Sequence, residues 1–532
     1  MRTPNKRFRL MQWLPRSAGL AIVVLAAVAT AVQAQQRGRT DGPSMAPRAP
    51  MTSSGSPIGG FGSQIDPFGN GPNDLLDSRV IGRGKSRPGR GVSSGEAAPG
   101  EDGPRSPLGR RPPARRAGIN IPPGNEQRFV KDEVVLEFAG NFSPQGIARL
   151  LARHRLTQLE AQNFTLTNSI LVRARIGNRR SVRAVLRGLR NERVLRAGQP
   201  NYLYRGSQQA EPGPAATIAG PADATPKATP VAAAAGALPA AGDPAQYALS
   251  KLRLNEAHRF ATGNRVLIAV IDSAIDAGHP ELQGVIAGSY DALGTAEKPH
   301  LHGTAIAGAI AARARLMGAA PSARILAIRA FGSAGGGVEA TTFAILKGIE
   351  YAAAHKARVI NMSFAGPADP GLARQLAAAK ARGAVLVAAA GNLGPNSPPQ
   401  YPAADPNVIA VSATDADDKL FKASNIGRHI AVAAPGVDIL LPAPGNDYQL
   451  SSGTSFAAAH VSGIAALILE RAPDLAPDAV RRILQSTAKD LGPRGKDAQF
   501  GAGLADAYRA ITAVERDTAT APLPPPRPAR AR

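Results

Sequence analysis

The sequence contains no cysteine. A disulfide framework, thiolate-held zinc, iron–sulfur clusters and a thiol nucleophile are therefore excluded. Aromatic residues are scarce, at 4% with a single tryptophan, and they are not interleaved with the basic runs. Platforms that stack nucleic-acid bases need that interleaving. Long apolar runs are missing but for one, Ala18 to Val32. At about 15 residues it is short of the ~20 that span a bilayer. Acidic residues are few beside basic ones, 39 against 63, for a net charge of +24. The surplus is unevenly placed, because residues 243–515 hold 25 basic and 23 acidic residues. No nucleic-acid partner is expected.

What is present is a chain of 532 residues, 44% hydrophobic, long enough for several domains. Arg2, Lys6, Arg7, Arg9 and Arg16 precede the apolar run, and Val32-Gln33-Ala34 offers small or apolar residues before Gln35. That pattern is an export signal over 1–34, with membrane contact only during export and a periplasmic or extracellular destination. Residues 35–126 are rich in Gly, Pro, Ser and Arg. They cannot bury enough to offset their ordering entropy, so disorder is expected. Residues 209–242 form an Ala/Pro linker, and 516–532 a Pro/Arg tail with no expected packing.

Between these lies a small module, 127–208. Glu133 to Phe138 alternates as a strand, and Ser143-Pro144-Gln145 opens a helix through His154. Leu159 to Leu166 and Ser169 to Ile176 read as strands, Ser181 to Leu189 as a helix, and Val194-Leu195 starts a last strand before Gln199 to Tyr204. The order β-α-β-β-α-β is that of a ferredoxin-like α+β fold.

From 243 to 515 strands and helices alternate. Val266 to Ile271, Ile325 to Ile328, Val359-Ile360, Ala384 to Ala390 and Val408 to Val411 are apolar runs of buried-strand length. Thr304 to Ala314, Thr341 to Ala354 and Gly371 to Ala381 are helical stretches between them. The expected fold class is α/β, a doubly wound, mostly parallel sheet with helices on both faces. Ligands bind beyond the carboxyl ends of such strands, where Asp272 and Asn392 fall.

Three residues carry chemistry together. Asp272 ends a strand, His302 opens a helix and Ser455 precedes a helix. A serine hydroxyl attacks only with a base in reach, and that base needs a carboxylate to hold its tautomer. A histidine at a helix start has its cation disfavoured by the dipole, so a partner such as Asp272 is needed. An α/β-hydrolase esterase would require Gly-x-Ser-x-Gly and the order Ser, Asp, His, neither of which is present.

With these residues on the page, segment 245–512 resembles the subtilisin-like serine proteases, the subtilases. VIDSAID at 270–276, HGT at 302–304, AAAGN at 388–392 and GTS at 453–455 match that family's boxes in order. The resemblance implies Asp272, His302 and Ser455 as the triad of an endopeptidase acting on proteins or peptides, with Asn392 in the oxyanion hole. It also implies a substrate cleft edged by Ser363, Phe364 and Ala365. Ala388 to Gly391 and Tyr401-Pro402-Ala403 would wall the S1 pocket. With no acidic residue there, uncharged, mostly apolar P1 residues are expected, in a pocket made shallow by Ala403.

Four positions depart from the family pattern: Ala274, Ala305, Phe456 and Ala459. None removes a catalytic atom. A catalytically silent, subtilase-like binding protein is the alternative they leave open. The stretch Ala311 to Pro321 looks shorter than the calcium loop of many subtilisins. No cofactor is required and no metal site is assigned, though Asp276, Glu281 and Asp417-Asp418 could meet calcium. The module at 127–208 resembles an inhibitory prodomain, which implies a zymogen with its own prodomain as intramolecular inhibitor.

Overall fold

The computed structural model describes residues 118–206, 242–335 and 337–520. The expected export signal, residues 35–117, all but the last residue of the linker 209–242 and the tail from 521 lie outside the described residues.

The N-terminal module comprises β1 (Gly118–Ile119), β2 (Phe129–Ala139), α1 (Pro144–Arg153), β3 (Leu156–Phe164), β4 (Ser169–Ile176), α2 (Val182–Gly188) and β5 (Leu195–Gly206). Both helices start where a serine caps them. The Ser143 and Ser181 hydroxyls accept from the Gly146 and Ala184 N–H groups, satisfying donors that helix starts leave open. Their apolar faces, Ile147, Leu150 and Leu151 on α1 and Val182, Val185 and Leu186 on α2, are buried. The strands run antiparallel in the order β3-β4-β2-β5, the ferredoxin-like arrangement. The module begins earlier than the expected 127. Gly118 and Ile119 pair with Ala197 and Gly198 of β5, and Arg183 holds the carbonyls of Pro122, Pro123 and Glu126. Ile119 and Ile121 supply the apolar contact that anchors this start.

The second part opens with two short helices, α3 (Tyr247–Lys251) and α4 (Leu254–Ala257), and then alternates. It continues with β6 (Leu267–Asp272), β7 (Ile286–Asp291), α5 (Leu301–Ala311), β8 (Arg324–Arg329), β9 (Gly332–Ala334), β10 (Gly337–Thr341) and α6 (Thr342–Ala354). Next come β11 (Val359–Met362), β12 (Phe364–Ala365), α7 (Pro370–Ala381), β13 (Val385–Ala389), β14 (Ile409–Thr414) and β15 (Ile430–Pro435). The hairpin β16 (Ile439–Ala443) and β17 (Asp447–Ser451) leads to α8 (Thr454–Arg471), α9 (Pro477–Thr487) and α10 (Ala507–Thr520). Seven strands form one parallel sheet, in the order β15-β14-β13-β11-β6-β8-β7.

Successive residues of the central strands face opposite cores. Ile268 and Val270 pack with α5 and α8, whereas Ala269 and Ile271 pack with α6 and α7. This is why β6 reads as a continuous apolar run. Helix α8 is buried along nearly its whole length, which explains its Ala/Gly-rich sequence. The second core runs on into the N-terminal module through Phe343, Tyr202 and Tyr204. Helix α10 continues to Thr520, past the expected boundary at 515, because Ala507, Ala510, Ile511 and Val514 give it a buried stripe.

Candidate active site

Asp272, His302 and Ser455 arrive from three elements at the carboxyl end of the sheet. Asp272 closes β6, His302 is the second residue of α5, and Ser455 the second of α8. All three are almost fully buried. Asp272 Oδ1 lies 2.7 Å from His302 Nδ1, and His302 Nε2 lies 3.1 Å from Ser455 Oγ. Asp272 Oδ1 also accepts from the Ser273 N–H at 2.7 Å and the Ser273 hydroxyl at 3.2 Å. A carboxylate held in this way keeps the imidazole proton on Nδ1, leaving Nε2 to face the serine as an acceptor.

The local sequence explains the placement. The His300 side chain caps α5 by accepting from the His302 N–H at 3.1 Å. Burial, followed by the neighbouring His302, lowers the pKa of His300, and the His302 N–H marks Nδ1 as the accepting nitrogen of its ring. Gly303 is required because a Cβ there would meet the Ser273 carbonyl oxygen at 2.5 Å. The Gly303 N–H instead donates to the Ser273 hydroxyl. Helix α8 has no side-chain cap at Gly453. The Thr454 N–H and hydroxyl donate to Asn392 Oδ1 at 3.1 and 2.8 Å. With its oxygen directed at Thr454, the Asn392 amide has its NH2 edge as the donor side.

A buried polar chain supports the backbone at Ser455. Ser462 donates to Asn361, Asn361 to Ser363, and Ser363 to the Ser455 carbonyl, each at 2.9–3.0 Å. Sequence reading found Ser363 but missed Asn361 and Ser462. The available signal was an asparagine inside the apolar strand Val359–Met362. His300 was also missed, two residues before His302.

The remaining positions gather round this centre. Phe364 and Ala365 form the edge strand β12. Tyr401 exchanges two backbone hydrogen bonds with Gly366, at 2.9 and 3.0 Å. The Gly391 N–H donates to the Thr454 hydroxyl at 3.1 Å. The four departures are packing changes. Ala305 is buried in the core, and Phe456 sits beside the His302 ring with 6.2 Å between centroids. The Ala274 carbonyl accepts from the His300 N–H. Ala459 is followed by His460, whose Nδ1 lies 3.0 Å from the Pro435 carbonyl.

The cleft edge is already occupied by the chain itself. Strand β5 runs antiparallel to β12, with Gly206 opposite Phe364 and Arg205 opposite Ala365. Its other edge pairs with β10, Leu203 to Arg205 facing Thr341 to Glu339. A Cβ placed on Gly206 would be 3.8 Å from the His302 ring. The module is held by charge as well. Glu350 accepts from the Thr165 N–H and hydroxyl and the Leu166 N–H, and Lys347 and Arg374 pair with Glu160 and Glu137.

The carboxylates considered for calcium are all engaged by donors. Glu281 accepts from the Ala314, Arg315 and Leu316 N–H groups at 2.8 Å and from the Tyr448 hydroxyl at 3.0 Å. Asp276 accepts from Gly278 and Gly445, Asp417 pairs with Lys419, and Asp418 with Lys251 and Lys489. Among the described residues, no cluster of three His, Asp or Glu is disposed to hold a metal ion.

Comparison with known proteins points the same way. The sequence profile of the Subtilase family matches residues 263–503. Thermitase of Thermoactinomyces vulgaris is 35% identical over 274 residues, 50% of this chain and 95% of that protein. Subtilisin E of Bacillus subtilis (strain 168) is 37% identical over 270 residues, 48% of this chain and 69% of that one. Thermophilic serine proteinase of Bacillus sp. (strain AK1) is 31% identical over 393 residues, 72% of this chain and 88% of that one. Among solved structures, fervidolysin from Fervidobacterium pennivorans, described as a keratinolytic enzyme related to subtilisin, superposes with a TM-score of 0.60. The superposition covers 77% of this chain and 64% of that one, at 23% identity, and speaks to the fold.

Proposed function

The chain belongs to the subtilase family of serine endopeptidases, and from that premise we propose that Ser455, His302 and Asp272 hydrolyse peptide bonds in a zymogen that cuts itself free. The continuous relay from Asp272 through His302 to Ser455 Oγ is the observation that carries this reading. Ser455 Oγ attacks the scissile carbonyl while His302 Nε2 takes its proton. The tetrahedral intermediate collapses to an acyl-enzyme as His302 returns that proton to the leaving amine. Water then repeats the sequence in reverse. Asp272 stabilises the imidazolium and does not itself become protonated. The developing oxyanion would be met by the Asn392 NH2 and the Ser455 N–H at the positive end of α8.

The seating of β5 supports the zymogen part. An antiparallel strand added to β12 is how a peptide would lie along that edge. With Gly206 against His302, the cut is proposed one residue further along the chain, between Ser207 and Gln208. The module thus acts first as substrate and then as inhibitor. Export follows from the signal-like start of the sequence, with action in the periplasm or outside the cell.

The test compares intact masses of the wild type and Ser455→Ala, both expressed without residues 1–34. Wild type should yield a catalytic fragment beginning just after Ser207 while the variant stays whole. If the wild type stays whole and Ser455 fails to react with a serine-directed phosphonofluoridate, the chain is the silent binding protein instead.

A further inference from the structure

The bed of Tyr204 contains a feature that an apolar pocket would lack. Tyr204 is fully buried, edge-on to Phe364 with ring centroids 5.9 Å apart, and Phe331 lies behind Phe364 at 5.0 Å. One side of this aromatic box is backbone. A Cβ on Gly366 would meet the Tyr204 ring at 2.3 Å, so only glycine admits a ring there. The floor is polar: the Tyr204 hydroxyl lies 3.2 Å from the Pro367 carbonyl oxygen and 3.3 Å from Asp369 Oδ2. Both are acceptors, and the phenol proton is the only donor the ring brings to them.

With the module in place Asp369 is itself buried, at 4% exposure, and it is held by the second part of the chain. It caps α7 through the Leu372 N–H at 3.0 Å and takes the Thr342 hydroxyl at 2.6 Å. Its two other side-chain donors, Gln199 and Tyr204, both come from the N-terminal module. When the module leaves, Asp369 keeps its place and loses those two donors.

We propose that Asp369 is a specificity-determining residue that selects tyrosine in substrates at the position Tyr204 occupies, four residues before the cut bond counting inward from Ser207. This rests on the proposed peptidase reading and names its substrate class: peptides with a phenol, not merely an aromatic ring, at that upstream position. A site built to hydrogen-bond a hydroxyl discriminates against the analogue lacking it, because a buried acceptor is left unpaired. Phenylalanine fills the box equally well and leaves Asp369 and Pro367 short of a donor.

The experiment uses the enzyme matured from the full-length chain and two peptides identical except for Tyr or Phe at that position. We expect kcat/KM to favour tyrosine by about tenfold, the effect of one hydrogen bond to a charged acceptor. In Asp369→Asn, which keeps the cap oxygen for Leu372, the ratio should fall towards one. Because the ratio is taken within one enzyme, a general loss of folded protein cancels. Equal turnover of the two peptides by the wild type overturns the inference while leaving the peptidase reading intact. If neither peptide is cut, the peptidase reading fails and the inference falls with it. A readout independent of peptide turnover is the chain carrying Tyr204→Phe. Its module should release about tenfold more readily after processing, and unchanged release argues against the Asp369 contact.

Discussion

At the scale of single residues, two side chains make separable predictions. In the proposed mechanism Asn392 offers the oxyanion one NH2 donor while its oxygen is tied to Thr454. Asn392→Ala should lower kcat by about 10²–10³ with little change in KM, the loss known for such a donor in subtilisin. Steady-state kinetics on the matured enzyme check this. His460 is different, because it is buried away from the reaction. Burial pulls its pKa from 6.5 down to about 4, against the weaker opposing pull of the Pro435 carbonyl. The folded state therefore holds it neutral while the unfolded chain binds a proton below 6.5. Its stability contribution is intact above pH 6.5 and drains away as pH falls towards about 4. The full shift corresponds to about 3 kcal/mol. Denaturant unfolding of the Ser455→Ala chain from pH 7 to 5 should show this loss, and His460→Gln should flatten it.

At the scale of elements, the turn after α5 is closed on a buried carboxylate. The chain leaves α5 at Ala311 and folds three successive N–H groups onto Glu281. Gln246 then clamps the Met317 N–H and carbonyl, tying the start of the catalytic segment to the same turn. Glu281→Ala should cost about 1–3 kcal/mol, since it leaves the buried Leu316 N–H and two part-buried N–H groups without their acceptor. With donors already filling this site, a calcium chelator should leave Tm unchanged. A chelator-induced fall in Tm would mean that a cation is held elsewhere. That Glu281 closes this turn was not legible, because it lies some thirty residues upstream, with nothing in the local pattern linking it to the stretch from Ala311.

At the scale of the whole molecule, the second core is shared between the two parts, and the N-terminal module is locked on by carboxylates. Glu350 alone takes three donors from Thr165 and Leu166. Removing one partner of a buried, hydrogen-bonded charged contact costs about 2–5 kcal/mol. Glu350→Ala should therefore weaken the module's hold by that amount, seen as an earlier onset of activity once the chain has been cut. If onset does not change, the hold comes chiefly from β5.

The residues of the relay could be read from the chain because each sits at an element boundary with its own local signature. An apolar run ends at Asp272, His302 opens a helix directly before Gly303, and a glycine opens the helix of Ser455. Five of the seven strands of the parallel sheet were legible for the same reason, since strands buried on both faces must be continuously apolar, whereas the fully buried β15 was not read. The edge strands β7, β9 and β10, the hairpin β16–β17 and helices α9 and α10 were not, because their short or half-exposed patterns resemble loops until neighbours cover them. Nor could the sequence say that Leu203 to Gly206 would lie between β10 and β12, that Ser462 and Asn361 would reach Ser363, or that Asp369 would meet Tyr204. Those contacts join residues from about 100 to 170 positions apart. Local propensity determines where elements start and stop. Which buried donor finds which acceptor is decided only when the packed elements close the distance.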